Sequence, residues 1–180
     1  MDVEGISHIW GMALILPVNG KLPQFGADNF MAENATIVGD VICGDQCSFW
    51  FQSVVRGDVN SIRIGNKVNV QDAAIIHCTY EKAPTQIGNN VSIGHGAIIH
   101  GCSIESNVLL GMRSVVMDQA IVHENSVIGA GAIVLEGTVI DSGSVWAGVP
   151  AKKVKDISEE QVKELIERIA DNYVLYSSWF

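Results

Sequence analysis

The chain is poor in charge. Asp, Glu, Lys and Arg make up 17% of its 180 residues, while 48% are hydrophobic; an average soluble domain carries roughly 25% charged residues. Such a chain either buries much of its surface in an oligomer or stacks a long uniform interior. Positive charge is scarcest, with 11 Lys and Arg against 20 Asp and Glu and a net charge of −9. That balance argues against nucleic-acid binding and against docking on an acidic membrane surface. No run of 18 or more apolar residues occurs, so membrane insertion is not expected. A basic n-region is missing from Met1–Gly5, and the apolar patch from Met12 to Leu16 stops at Pro17, too short for a signal-peptide core. The expected location is cytoplasmic. No C-x-x-C pair occurs among Cys43, Cys47, Cys78 and Cys102, which predicts reduced thiols.

What the chain does have is a repeat. An apolar residue recurs at every sixth position through Ile37, Cys43, Phe49 and Val55, and again through Ile64, Val70 and Ile76. The pattern resumes at Ile87, Ile93 and Ile99, then runs through Ile104, Leu110, Val116, Val122, Ile128, Val134, Ile140 and Trp146. A helix would need recurrences at three and four residues, and a flat strand at two. Period six fits short strands joined by corners, three to a turn, stacked coil on coil. The key residue points into a narrow prism. A small or β-branched residue four positions on, such as Val68, Ala74, Val91, Ala97 or Ser114, lets the corner bend. Each coil hides its apolar side only on its neighbours.

This pattern resembles the hexapeptide-repeat family over residues 35–150. The resemblance implies a mainly β fold, a left-handed parallel β-helix. Residues 1–34 read as an N-terminal turn or hairpin segment, because Pro17, Gly20 and Pro23 punctuate it. Residues 151–180 read as a C-terminal helix packed along the prism, running from about 159 to 175. Ser158 is its N-cap with Gln161 three residues on, and Val162, Leu165, Ile166 and Ile169 form its apolar stripe. Two interruptions, 56–63 and 77–86, break the register and predict external loops, where function is often carried.

Three of the five histidines fall close together: His77, His95 and His100. His77 follows Ile76 and His100 follows Ile99, the same slot of adjacent coils, so their rings stack on one side of the prism. Adjacent strands lie about 4.8 Å apart, a spacing from which two imidazoles can converge on one ion. His95 lies beyond a corner and does not reach that ion within one chain. If chains pack side by side, His95 of one copy faces His77 and His100 of the next, and a triangular prism favours a homotrimer with metal sites between subunits. Three imidazoles with an open fourth position suit a hydratase zinc, and Fe2+ or Co2+ also accept imidazole. His8 and His123 have no place in this pattern and read as surface residues. Cys78 and Cys102 flank the histidines, but alternation along a strand turns Cys78 away from His77.

Arg56 and Asp58 lie one coil earlier, Arg56 in the slot of His77, where they can pair across an interface or place charge near a substrate. Gln71 and Asp72 precede the first histidine and can orient a bound water or a histidine. Together Arg56-x-Asp58, Asn69-Val70-Gln71-Asp72, His77 and His95-x-x-x-x-His100 resemble the γ-class carbonic anhydrase signature. The resemblance implies reversible hydration of carbon dioxide to bicarbonate by a metal-bound hydroxide at trimer interfaces. It implies His77, His95 and His100 as ligands, two from one chain and one from its neighbour, and an Arg56–Asp58 pair between subunits. It implies Gln71 as the holder of the hydroxide. Tyr173, after Asn172, resembles a tyrosine that reaches the site in bacterial members. The proton shuttle departs from the archaeal pattern: the loop from Cys78 to Gln86 is short, Glu81 is its only acid, and Val59 stands where a glutamate is found. Weak turnover is therefore expected.

Other functions fit the same repeat. A hexapeptide acyl- or acetyltransferase uses one histidine as general base, and Gly148-Val149-Pro150-Ala151-Lys152 resembles a stretch frequent after the last coil of such enzymes. A coenzyme A thioesterase using the same metal is a variant. A non-catalytic metal-binding assembly subunit would keep the ligands and lack the shuttle acids.

Overall fold

The structure is a computed structural model and describes residues 12–180. His8 lies outside the described residues. The chain winds into a three-sided parallel β-solenoid. The first face stacks Leu14–Leu16, Ile75–His77, Ile98–His100, Val115–Val116 and Ile133–Val134, with the start of Thr36–Cys43 and of Val54–Ile64 between the first two. The second face holds the far ends of those two long strands, followed by Thr85–Ile87, Ser103–Ile104, Ile121–Val122 and Val139–Ile140. The third runs from Phe30–Met31 through Asn69–Val70 and Ser92–Ile93 to Ser144–Ala147, where Lys152–Asp156 closes it antiparallel.

The sixth-position residues form the core. Ile37, Phe49, Val55, Ile76, Ile93, Ile99, Leu110, Ile128 and Ile140 are fully buried, and of that ladder only Trp146 is partly exposed. Val68, Ala74, Val91, Ala97 and Ser114 at the corners are buried too. The corners need a residue in the left-handed region. Glycine supplies it at some, but Gln46, Gln52, Lys67, Asn90, Asn107 and Asn125 do so at others, with φ between 53° and 61°. Asn in particular tolerates that region.

Three sequence expectations need correction. The solenoid begins at Leu14, not at residue 35. A turn bridging Val18 and Lys21 is present, but the strands Leu14–Leu16, Gln24–Phe25 and Phe30–Met31 already pair with the next coil. Residues 56–63 are not an external loop. They belong to one strand, Val54–Ile64, that follows Thr36–Cys43 around the corner and absorbs its extra residues where the register shifts between Gly39 and Val41. Gly39, at φ +81°, passes so close that a Cβ there would lie against the Gly57 carbonyl; any side chain would separate the two strands. Of the expected 77–86 loop only residues 78–84 leave the faces, as a tight turn bridged by Thr79 and Ala83; His77 ends one strand, and Thr85 and Gln86 belong to the next.

The C-terminal helix starts where expected. Ser158 Oγ accepts from the Gln161 N–H and Gln161 Oε1 from the Ser158 N–H, each at 3.2 Å. It continues to Ser177, but Val162–Glu167 is π-helical. A wider turn rotates the following residues, so Ile166 and Ala170 are buried while Leu165 of the expected stripe faces outward. The Lys67–Asp171 ion pair at 2.8 Å and the edge-on packing of Tyr173 against Trp50 hold the helix on the third face. Among the described residues, no helix is long and apolar enough to cross a membrane.

Candidate metal centre

His77 and His100 stand directly opposite each other in register on the first face. Ile76 and Ile99 point inward, so alternation turns both imidazoles outward. His77 Nδ1 lies 3.0 Å from His100 Nε2. Each ring is held from its other side by a carboxylate. His77 Nε2 lies 3.0 Å from Asp58 Oδ1, and His100 Nδ1 lies 2.6 Å from Asp118 Oδ1.

Burial works to raise the Asp58 carboxyl, but hydrogen bonds from Arg56 and His77 outweigh it and hold the group below the ordinary carboxylate value. Asp118 is held down in the same way, burial being outweighed by hydrogen bonds from Thr79 and His100. Ionised carboxylates only accept. The ring protons therefore sit on His77 Nε2 and His100 Nδ1, and the remaining lone pairs face each other. Burial, with the charges of Arg56 and His100, pushes His77 towards its neutral form against the pull of Asp58. Two opposed lone pairs 3.0 Å apart are unfavourable unless a proton or a cation lies between them. Two nitrogens at 2.0–2.1 Å on one tetrahedral zinc stand roughly 3.3 Å apart. The donor set therefore fits an imidazole-binding divalent metal after a small opening of the pair.

In the isolated chain the exposed Arg56 pairs within its own chain. Its Nη1 donates to Asp58 Oδ2 at 2.5 Å. Residues two apart on a strand share a face, which accounts for the pair within one chain where the resemblance implied a pair between chains.

His95 sits in the turn that joins Ser92–Ile93 of the third face to Ile98–His100 of the first. Its Nδ1 lies 2.8 Å from Asp72 Oδ2. Among the described residues, no three His, Cys, Asp or Glu side chains converge as a metal cage. The groove that His95 lines, about 400 Å³, is also lined by Gln71, Arg168, Asn172 and Tyr173. Gln71 is buried and its amide donates to Asn69 Oδ1 at 2.9 Å, while Asn69 donates to Ser92 Oγ at 2.8 Å. That chain fixes the Gln71 amide and leaves its oxygen for another donor. Tyr173 is pushed up to about 12, by burial first and then by Asp72 and Tyr176, so its hydroxyl keeps its proton at neutral pH.

Glu81 sits apart, at the exposed tip of the 78–84 turn with φ +51°. Among the described residues no hydrogen bond or ion pair holds its carboxylate. His123 is paired, its Nδ1 lying 3.0 Å from Glu105 Oε1. The four thiols are free and buried. Burial raises Cys78 to about 11 and Cys102 to about 12, and Cys78 Sγ points to the Asn60 carbonyl. Neither offers the thiolate that a Cys–His cluster needs.

Asp118 and Thr79 are not evident from motif spacing. The signal for Asp118 lies in the register: it stands one coil on from Gly101, whose missing side chain leaves room for a carboxylate.

The fold and these residues can be set beside known proteins. The family model described as bacterial transferase hexapeptide (six repeats) matches residues 101–136. The carbonic anhydrase of Geobacillus kaustophilus is 41% identical over 179 residues, covering 89% of this chain and 87% of that protein. The mitochondrial gamma carbonic anhydrase 2 of Arabidopsis thaliana is 36% identical over 172 residues, covering 93% of this chain; the chain spans 62% of that protein's length. A solved hexapeptide transferase family protein from Anaplasma phagocytophilum superposes with a TM-score of 0.86 at 38% identity, covering 93% of this chain and 98% of that one. Similarity that runs nearly end to end with the Geobacillus protein, on a shared hexapeptide β-helix, shows that this chain belongs to the γ-carbonic anhydrase family of left-handed β-helix proteins.

Proposed function

We propose that this protein hydrates carbon dioxide reversibly to bicarbonate, at divalent metal sites shared between neighbouring copies of a homotrimer. The observation that carries the reading is the His77–His100 pair, with two lone pairs converging and a carboxylate behind each ring. One chain supplies two ligands on the first face and keeps His95, Gln71 and Tyr173 together beyond the corner. Completing the site therefore calls for a second copy. The outward apolar residues Ile75 and Ile98, flanking the histidines on the same strands, are 39% and 37% exposed in the isolated chain and supply an interface to bury.

Zinc, iron(II) or cobalt(II) held by three imidazoles supplies Lewis acidity that makes hydroxide available near neutral pH. The chain's own residues do the rest. Asp58, Asp118 and Asp72 fix the three ring orientations. Gln71 Oε1, free of its amide's bond to Asn69, would accept a hydrogen bond from the water or hydroxide at the site and so orient that oxygen towards carbon dioxide. Tyr173, protonated, donates to a developing carboxylate oxygen. Arg56, 46% exposed at its side chain, exchanges its own Asp58 for that of a neighbour when the trimer forms. Glu81 is the acid of the short loop and carries the released proton to solvent.

The test is stopped-flow carbon dioxide hydration on protein loaded anaerobically with zinc or iron, beside a His77→Ala control. Activity present with about one metal per chain and absent in the control supports the reading. A fully metal-loaded, inactive protein retires it. Acyl or acetyl transfer is the second reading, favoured by the likeness to the Anaplasma hexapeptide transferase family protein. It would show as acetyl-coenzyme A turnover that survives metal removal; thioester hydrolysis would be lost with the metal. A trimer that binds metal and turns over none of these substrates is an assembly subunit.

A further inference from the structure

Asp118 lies one coil beyond His100 and two residues past the inward-pointing Val116. Its side chain is 15% exposed and both its oxygens are engaged. Oδ1 accepts from His100 Nδ1 at 2.6 Å, and Oδ2 accepts from Thr79 Oγ1 at 2.6 Å. The approach depends on Gly101, where a Cβ would lie 2.5 Å from Asp118 Oδ1 and 2.8 Å from the Ala83 side chain. The same region ties the two histidine strands together. Thr85, fully buried, donates its hydroxyl to the His77 carbonyl at 2.6 Å and accepts from the Gly101 N–H at 2.9 Å.

We infer that Asp118, braced by Thr79 across the gap left at Gly101, is a positioning residue that fixes the tautomer and angle of His100 and so sets how tightly the histidine pair takes a divalent cation. The inference rests on the metal reading proposed above. A carboxylate can only accept from the ring, which keeps the proton on Nδ1 and aims the Nε2 lone pair at His77. Without the carboxylate, the ring is free to turn about its χ2 angle or to carry its proton on Nε2, and either loses the ligand. Thr79 holds the second oxygen, so the carboxylate does not rotate out of the plane of the imidazole. Partners behind a metal-binding histidine are typically worth about 10–100-fold in affinity.

Two measurements test this on the full-length protein. The first is the 15N spectrum of the histidine rings without metal. Wild type is expected to show His100 protonated on Nδ1 with a bare Nε2, Asp118→Ala a mixture of tautomers, and Asp118→Asn a return towards wild type. The second is zinc affinity by chelator competition. Asp118→Ala is expected to weaken it about 10–100-fold, and Asp118→Asn by a smaller factor. Thr79→Val keeps the carboxylate and reads the same effect in smaller measure should Asp118→Ala fail to fold. Identical ring spectra and zinc affinities in wild type and in these variants would overturn the inference. A wild type that takes no zinc, yet shows the expected tautomer change, would leave the hold on His100 standing and remove the metal reading beneath it.

Discussion

Ile98 and Ile99 are adjacent in sequence and opposite in consequence. Ile99 is fully buried, stacked in register between Ile76 and Val116. Ile98 is 37% exposed on the outer side of the same strand. Ile99→Ala removes three carbons from the prism interior. At about 0.8 kcal/mol for each buried methylene, transfer alone costs about 2.4 kcal/mol. The cavity left behind adds to this, because isoleucine-to-alanine changes in cores span about 2–5 kcal/mol according to how far the surroundings collapse. Here the coils above and below are hydrogen-bonded to the strand in fixed register, so little collapse is available and the upper half of that range is expected. Global stabilities of about 5–15 kcal/mol make such a loss a large one. Ile98→Ala is expected to leave the chain's own stability within about 1 kcal/mol and to weaken assembly instead. Urea unfolding at a fixed protein concentration, with the oligomer followed in parallel by sedimentation, separates the two, since an oligomer's apparent stability depends on concentration. A loss below about 1 kcal/mol for Ile99→Ala, or an assembly indifferent to Ile98→Ala, would refute the assignment of inner and outer faces.

Other outcomes are open to direct measurement. Asp40 is held below its ordinary value of 3.8, burial being outweighed by hydrogen bonds from Lys21 and Arg63. Its contribution to stability is therefore present above that value and lost as pH falls through the depressed one. Asp40→Asn should cost up to about 1 kcal/mol at neutral pH and flatten the acid limb of the unfolding curve. Ser158→Ala removes the Oγ half of the capping box, leaving the backbone N–H that donates to Gln161, and should cost about 1 kcal/mol, with the loss confined in hydrogen exchange to the C-terminal helix. Gly101→Ala meets a backbone at φ +56° and the Asp118 carboxylate together; a loss of about 1–3 kcal/mol is expected, accompanied by weaker zinc binding. Tyr173→Phe keeps the packing on Trp50 and should leave the melting temperature unchanged while lowering hydration turnover.

The period of six made most of the solenoid legible, because the inward position is the one place where polarity is costly in every coil. The same ladder extends back from Ile37 through Met31 and Phe25, and the first coil follows from it. Pro17, Gly20 and Pro23 drew attention to turns and hid those two positions. The stacking of His77 on His100 also follows from register alone. Asp118 is less plain, since it stands in the next coil and reaches His100 past Gly101, whose missing side chain is its one signal in the register. The strand through 56–63 is equally hidden: extra residues in a repeat suggest a loop, and only the matched bend of the preceding strand at Gly39 keeps them paired. The outward turn of Leu165 depends on a π-helical stretch that a 3.6-residue pattern does not register.

The central claim is that one chain supplies His77 and His100 while a different chain supplies His95. Subunit complementation tests it directly. His77→Ala and His95→Ala are each expected to be inactive and to bind little zinc as pure trimers. Unfolded together and refolded as a mixture, each mixed trimer regains about one intact site in three, because one interface then joins an unmutated His77 to an unmutated His95. Zinc content and hydration rate recovering together in the mixture is the expected result. A mixture as inactive as its parents, though shown to contain mixed trimers, would contradict a metal site shared between chains.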